Sequence, residues 1–370
     1  MRVLHWVYPF SPGRGGQSIF IERIALGFAD RGHEVALALE PQSDSDMASL
    51  EKIFGSKVKR FHINLDDLKQ KKAVGVGLFR VAAVIDEFKP DVIHIHNLKS
   101  RGLVYLRFYL TVKGRNIRTI CTMHDLVTLN QVVSLLHSKT LVQQLNMVVA
   151  PSQFMFAKLG EIEADVIERF SLISNGVPEV PARQGLTSRP ITLLFAAELN
   201  EHKGGVYLFN AWAKIFRNHP HVRLIVAGEG DAKDFLIQLA RTLEFDSQVD
   251  FVGWLSQVEL QNLFADDCIL VMPSMIGEAF GLIAAEAAMA GIPVIAHEIG
   301  ALPEIVTDGI TGITVQAGHT QELADAMARL ITDPALRRQM GESAHAKATS
   351  EFSMQTCINK YESLILKMNH

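Results

Sequence analysis

The chain has 370 residues, nearly half of them apolar, which is enough for two domains with sizeable cores. Its three cysteines, Cys121, Cys268 and Cys357, lack the spacing of a disulfide framework or a metal site, which suits a reducing compartment. The net charge of −4 hides a split: residues 1–185 hold 23 Lys+Arg against 18 Asp+Glu, and residues 186–370 hold 13 against 22. Such asymmetry points to two domains with different partners.

The first apolar run, Val3 to Phe10, is too short for a signal-peptide core and is cut by Pro9 and Pro12. No run reaches the length of a membrane span. No basic-aromatic recognition motif speaks for nucleic acid. The expectation is a cytoplasmic protein whose basic half faces an anionic acceptor, rests peripherally on the inner face of a membrane, or simply reflects ordinary surface variation.

In chain order, Arg2–Tyr8 reads as a buried strand. A glycine-rich turn follows, and Ile19 to Arg31 reads as an amphipathic helix ending at Gly32. Further strands are expected at Val35–Leu39, Val58–Ile63, Val92–His96, Arg118–Met123, Met147–Ala150 and Phe170–Ser174, with helices at Val74–Phe88 and Gln153–Leu159. Strands alternating with helices imply a parallel sheet covered on both faces. Three prolines and two glycines between Gly176 and Pro190 mark a linker.

The alternation then restarts. Strands are expected at Ile191–Ala197, Val222–Ala227, Val249–Val252, Ile269–Met272, Ile292–Ala296 and Gly312–Val315. Helices are expected at Gly205–Phe216, Ala232–Leu243, Gln257–Phe264, Phe280–Met289 and Gln321–Leu330, and the tail Gln355 to Lys367 reads as a last amphipathic helix. The result is two doubly wound halves facing across a cleft, where ligands sit at the carboxyl ends of strands.

The stretch with the most chemistry is Glu278-Ala-Phe-Gly-Leu-Ile-Ala-Ala-Glu286, a strand-to-helix turn. Free backbone N–H groups and the positive helix end meet there, which suits a phosphate or sugar hydroxyls. Eight helical residues separate the carboxylates by ~12 Å, more if Glu278 lies on the loop. That is too far to flank one bond and matches the two ends of an extended nucleotide sugar. Alternatively, both glutamates are solvated surface residues, although the alanines around Glu286 imply close packing in which an unpaired carboxylate is costly.

Other motifs are weaker singly. Gly13-Arg-Gly-Gly16 follows a strand and precedes a helix, the context of a backbone phosphate cradle, or of a tight turn needing positive φ. Lys203 precedes Gly204-Gly205 at a helix start, where a cation opposes the helix dipole and a diphosphate would reconcile the two. Gly228-Glu-Gly230 is another glycine turn, near enough to approach a base or ribose. His124 ends a strand and would point into the cleft, although a strand-end histidine is more often structural. His94 and His96 share a strand face, half of a metal site with no carboxylate or cysteine cluster to complete it. Asp44-Ser-Asp46 matches a metal-binding D-x-D but sits in a loop without the surrounding fold logic. The segment Lys99 to Arg118 interleaves basic residues with Tyr105, Phe108 and Tyr109. With Lys69, Lys71 and Lys72 it offers a surface for anionic lipid, or simply the solvated face of a sheet-covering helix.

Taken in order, these segments resemble the GT-B retaining glycosyltransferases of family 4, the group 1 transferases. The matching residues include Gly15-Gly16, Arg31-Gly-His-Glu-Val35, Asp91-Val-Ile-His94, Thr122-Met-His-Asp125, Ala150-Pro-Ser152, Ser174-Asn-Gly-Val177, Lys203-Gly204, Gly228-Glu-Gly230, Pro273-Ser274, the two glutamates and Pro303-Glu-Ile-Val306. The resemblance implies an α/β fold of two Rossmann-like domains: residues 1–180 for the acceptor, a linker at 181–190, residues 191–353 for a nucleotide sugar, and a helix at 354–370 crossing back to the N-terminal domain. It implies that Glu286 takes the ribose hydroxyls, Glu278 the donor-sugar hydroxyls, and the amides of Phe280, Gly281 and Leu282 the sugar and diphosphate. Lys203 would neutralise the diphosphate with Gly15 and Gly16 opposite, Gly228 would approach the nucleotide, and His124 would touch the donor sugar.

The implied reaction moves a sugar from a UDP- or GDP-sugar to a carbohydrate or lipid-linked acceptor. It proceeds with retention and without metal or other cofactor, in surface polysaccharide or glycolipid synthesis. One departure stands out: Ala197-Glu198-Leu199 replaces the family's Gly-Arg-Leu, and a glutamate repels a diphosphate. That keeps open a non-catalytic nucleotide-sugar-binding protein, and the fold also serves epimerases and sugar-phosphate synthases.

Overall fold

The computed structural model describes residues 1–7, 10–63, 74–97, 117–125, 145–162, 164–182 and 191–368. The chain divides into two compact units: Met1–Gly176 with Met354–His370, and Val177–Ser353. Lys69, Lys71, Lys72, most of the basic-aromatic segment before Arg118, and residues 183–190 of the expected linker lie outside the described residues.

In the first unit, elements run β1 (Arg2–Val7), α1 (Gly16–Asp30), β2 (Glu34–Leu39), α2 (Asp44–Phe54), β3 (Val58–His62), α3 (Val74–Phe88), β4 (Val92–His96), β5 (Arg118–Thr122), β6 (Met147–Ala150), α4 (Gln153–Ile162) and β7 (Phe170–Leu172). The strands form one parallel sheet in the order β3-β2-β1-β4-β5-β6-β7. β1, β2 and β4 are buried at almost every position. Such near-continuous burial is what helices on both faces impose. Helix α1 begins at Gly16, three residues before its apolar pattern, because Gly15 caps it at φ 73°. Asp44-Ser-Asp46 is not in a loop. It forms the first turn of α2, where the Ser43 side chain accepts from the Asp46 amide and the acidic residues complement the helix dipole. Capping accounts for that D-x-D without any metal.

The second unit runs β8 (Thr192–Ala196), α5 (Gly205–Ile215), β9 (Arg223–Ala227), α6 (Lys233–Thr242), β10 (Val249–Gly253), α7 (Gln257–Phe264), β11 (Cys268–Met272), α8 (Leu282–Met289), β12 (Val294–His297), α9 (Leu302–Ile305), β13 (Gly312–Val315), α10 (Thr320–Thr332) and α11 (Pro334–Phe352). Its parallel sheet has the order β10-β9-β8-β11-β12-β13. One face is filled by Trp212, Phe209, Phe216 and Phe245, with Phe209 and Phe245 ring to ring at 5.3 Å. Each such side chain, fully buried, contributes about 1.5–3 kcal/mol. The other face takes the alanines of α8. Close approach is required there: a Cβ on Gly341 of α11 would stand 2.2 Å from the Gly291 carbonyl oxygen.

Helix α11 escapes the sequence reading because its buried side is Arg337, Met340, Gly341, Ala344, Ala348 and Phe352, a stripe of small residues around an arginine rather than an apolar face. Helix α8 starts at Leu282 rather than Phe280, since Gly281 at φ 102° ends the loop. Helix α12 (Met354–Lys367) packs on α1 in the first unit. A Cβ on Gly27 would lie 2.1 Å from Ile358 Cδ1, and the buried Tyr361 hydroxyl meets Thr122 Oγ1 at 2.7 Å. Among the described residues no helix is long and apolar enough to cross a membrane.

Arg337 carries the second unit's buried charge. Its Nη2 reaches Asp267 Oδ2 at 2.7 Å, Nη1 donates to the Leu330 and Ile331 carbonyls, and both side chains are 6% exposed. Asp267→Ala strands that guanidinium, and urea denaturation should show a loss of about 3–5 kcal/mol. A loss below ~1 kcal/mol would mean the arginine finds water or another partner.

Candidate functional site

In the second sheet β8 and β11 are neighbours, but the chain leaves them in opposite directions, β8 toward β9 and β11 toward β12. This is the topological switch point, where loops at the strand carboxyl ends splay and leave a crevice. The two loops there hold Lys203 and Glu278. They are stapled together: the Met275 N–H donates to the His202 carbonyl at 2.8 Å, and Gly204 sits against Pro273. Gly204 has φ 75°, and a Cβ there would come within 1.8 Å of the Pro273 oxygen, so only glycine fits. Asn200 starts the turn by accepting from the His202 and Lys203 amides.

This arrangement sets Lys203 Nζ 2.6 Å from Glu278 Oε1. Ser274 Oγ donates to the same oxygen at 2.9 Å, and the Ser274 carbonyl accepts from the buried His297 Nδ1 at 3.1 Å. Glu278 also pairs as backbone with Gly300, and its carbonyl takes the Ala301 amide. Gly300 is tight against that backbone, where a Cβ would come 2.4 Å from the Glu278 nitrogen. Sequence reasoning treated Lys203 and Glu278 as separate grips and gave Ser274 no role; the structure makes the three one cluster. The signals for Ser274 were its place four residues before the glutamate and the Pro273-Ser274 pair in the family resemblance.

Glu278 lies on the loop, as the longer of the two spacings required, and Glu286 is half-buried on α8. Phe280 packs its ring edge-on to Phe352 at 5.6 Å, so only its backbone remains for a ligand. The Phe280, Gly281 and Leu282 amides precede the first intrahelical bond of α8, which runs from Ala284 to the Gly281 carbonyl. Gly228 lies under the β8 loop, where a Cβ would come 1.8 Å from the Ala197 oxygen, so its glycine serves packing. Glu198 is exposed.

In the first unit the switch point falls between β1 and β4. Gly13 and Gly15 both have positive φ with open space around a would-be Cβ, so conformation is what fixes them. The loop is held by two side chains of α1: Ser18 Oγ accepts from Ser11 N at 3.0 Å, and Glu22 Oε1 accepts from Gly13 N at 2.6 Å. Asn97, at φ 64° after β4, is a hub. It donates to Gln17 Oε1 (2.8 Å) and Asp125 Oδ2 (2.9 Å) and accepts from the His124 amide (2.6 Å). Asparagine is among the few residues that tolerate this backbone region, and that was its signal.

His124 is half-buried against Phe20, and its Nε2 lies 3.0 Å from His96 Nδ1. Burial lowers its pKa to about 4, although Asp125 pulls the other way. His5, His94 and His96 are fully interior, and burial holds all three well below the usual histidine range. Their nitrogens lie within 4.8 Å of one another. A cation there would compete with the His5–His96 hydrogen bond, and among the described residues no carboxylate belongs to the group.

Family comparison matches this architecture along the chain. A family model described as Glycosyltransferase Family 4 covers residues 14–179, and one described as Glycosyl transferases group 1 covers residues 177–347. The chain belongs to the group 1 glycosyltransferases of GT-B fold. This glycosyltransferase is 27% identical to a glycogen synthase of Mycobacterium tuberculosis, over 96% of this chain and 92% of that one. It is 24% identical to an N-acetyl-alpha-D-glucosaminyl L-malate synthase of Bacillus anthracis, over 95% and 94%. Among solved structures, Anabaena HepE, crystallised with UDP-glucose, superposes with a TM-score of 0.78 at 22% identity, over 98% of this chain and 99% of that one.

Glu22 gives the first unit a pH response. Burial raises its carboxyl to about 7, against the Gly13 amide and Arg23. The folded chain keeps this proton where the unfolded chain has released it, so wild-type stability falls as pH rises from about 4.5 to about 7. Glu22→Gln retains an oxygen for Gly13. The variant should match wild type near about pH 4 and exceed it at about pH 8 by on the order of 3 kcal/mol in chemical denaturation. Parallel pH profiles would rule the raised pKa out.

Proposed function

We propose that this glycosyltransferase moves a sugar from a UDP- or GDP-sugar to an acceptor hydroxyl, with retention at the anomeric carbon and without a metal ion. The observation that carries the reading is the Lys203–Glu278–Ser274 cluster beside the amides of Phe280, Gly281 and Leu282, at the switch point of the second sheet. The full-length likeness to a glycogen synthase and an N-acetyl-alpha-D-glucosaminyl L-malate synthase supports it, as does a GT-B neighbour crystallised with UDP-glucose.

In this reading Lys203 and the three amides meet the diphosphate, Glu278 takes hydroxyls of the donor sugar, and Glu286 takes the ribose hydroxyls. His124 and the Gly15–Gly16 loop are the first unit's contribution to the donor. The bond from the anomeric carbon to the phosphate oxygen breaks, and the nucleoside diphosphate leaves with the electron pair. The acceptor oxygen bonds that carbon on the same face, and its proton passes to the departing phosphate. Positive charge fixed in place before the reaction, rather than a metal, lowers the barrier. The Lys203–Glu278 ion pair gives the cation a resting partner that a diphosphate replaces. Glu198, in the position of the family's arginine, is exposed, so its charge can remain in solvent. Carbohydrate or lipid-linked acceptors on a cytoplasmic membrane face, in surface polysaccharide or glycolipid synthesis, fit the basic first half of the sequence.

Nucleotide release from a panel of UDP- and GDP-sugars tests the assignment. Release from one donor is expected. Lys203→Ala should lower kcat by about 10²–10³, and Glu286→Ala should chiefly raise the donor KM. Unchanged kinetics in both variants would move the donor site elsewhere.

A further inference from the structure

We propose that His5 and His96 act as positioning residues that fix the proton of His124 on Nδ1, so that His124 meets its ligand as a hydrogen-bond donor and not as a base. The inference rests on the reading above that His124 faces the donor sugar.

His5 lies on β1 and His96 on the adjacent β4, and His124 follows β5, the next strand over. Three rings from three neighbouring strands therefore meet in one row. His5 Nδ1 lies 3.0 Å from His96 Nε2, and His96 Nδ1 lies 3.0 Å from His124 Nε2. The rings are close to parallel, at 24° for the first pair and 18° for the second. Each contact needs one proton, and a neutral imidazole carries only one N–H. His96 must then donate to one neighbour and accept from the other, which leaves two arrangements for the whole row. Either all three rings are protonated on Nδ1, with every N–H directed toward His124, or all three are protonated on Nε2, with every N–H directed toward His5.

Two observations choose between them. His5 Nε2 is buried and has no hydrogen-bond partner among the described residues. In the Nε2 arrangement it would be an orphaned N–H in the core, a rare and costly state; in the Nδ1 arrangement it is only a bare lone pair. At the other end Asp125 follows His124 directly, held by Asn97 Nδ2 at 2.9 Å, and acts on His124 through its charge. A row of aligned N–H dipoles has its positive end toward His124 in the Nδ1 arrangement, which is where that carboxylate favours it. His94 stands outside the row, because its Nε2 pairs with Thr122 Oγ1 at 2.7 Å.

His124 then presents an Nδ1–H to a sugar hydroxyl or a developing negative oxygen. No single ring in the row can change tautomer alone, so the interior histidine His5 sets the hydrogen-bonding sense of a residue two rings away.

The test is long-range 1H–15N correlation on the full chain with 15N-labelled histidine, assigned by the spectrum of His124→Gln. In water the Nε2–H form of histidine is the ordinary one. Three rings with protonated Nδ1 and bare Nε2, at His5, His96 and His124, are therefore expected only if the row is ordered as argued. His124 carrying its proton on Nε2, or on both nitrogens, overturns the proposal whatever the enzyme does. In His5→Leu the row loses its first donor. The His124 nitrogen shifts should move, and the donor KM should rise roughly fivefold, about the worth of one hydrogen bond. His124 shifts that stay at their wild-type values in a folded His5→Leu would also overturn it. Moved shifts with unchanged KM would uphold the tautomer control and remove His124 from the donor site. If His5→Leu does not fold, the wild-type spectrum alone decides.

Discussion

One contact constrains the second unit's candidate site more than any other, the seat of Gly204 on the Pro273 carbonyl. No side chain fits between them, and the backbone of Gly204 takes a conformation that other residues resist. Together with the Met275–His202 hydrogen bond, it joins two loops that the sheet topology would otherwise spread apart. The short distance from Lys203 to Glu278 follows from that join. So does the position of Ser274, which leans on Glu278 from one side and takes its own support from His297. The site is thus built by backbone close to backbone, and the charged side chains are its last layer.

The two units handle charge in contrasting ways. In the second, a cation and an anion are paired and partly exposed. In the first, burial pushes ionisable groups near the switch point toward their uncharged forms: it lowers the pKa of His5, His94, His96 and His124 and raises that of Glu22. Asn97 ties Gln17, His124 and Asp125 together from a strand end. A low-polarity surround strengthens each hydrogen bond in such a network and makes an unpaired group costly.

The sequence made the strands and their order of appearance plain, because buried parallel strands are nearly continuous apolar runs. Val92–His96 and Gly312–Val315 match residue for residue. Helix boundaries were less visible, since glycines at positive φ, not apolar periodicity, set the starts at Gly16 and Leu282. Helix α11 was hidden because small residues and a buried arginine do its packing. At the second unit's switch point, Lys203 and Glu278 stood out from residue type and spacing, and the structure brings them together. What could not be read was pairing across distance: Lys203 with Glu278 over 75 positions, or His5 with His96 over 91. Those follow from strand order, which local pattern does not encode. Asn97 and Glu22 were missed for a related reason, as single polar residues whose meaning lies in what the fold brings to them.

The last helix has a consequence for biosynthesis. Its side chains Cys357, Ile358, Tyr361 and Ile365 are interior to the unit that begins at Met1, and Tyr361 reaches the hydroxyl of Thr122 in the middle of that unit's sheet. On the ribosome, domains fold as they emerge, the N-terminal ones first. Here residues 177–353 have all their own parts before the final helix is made, while the unit started first waits for it with a gap along α1 and β5. The order in which the two halves are synthesised is therefore the reverse of the order in which they can be completed.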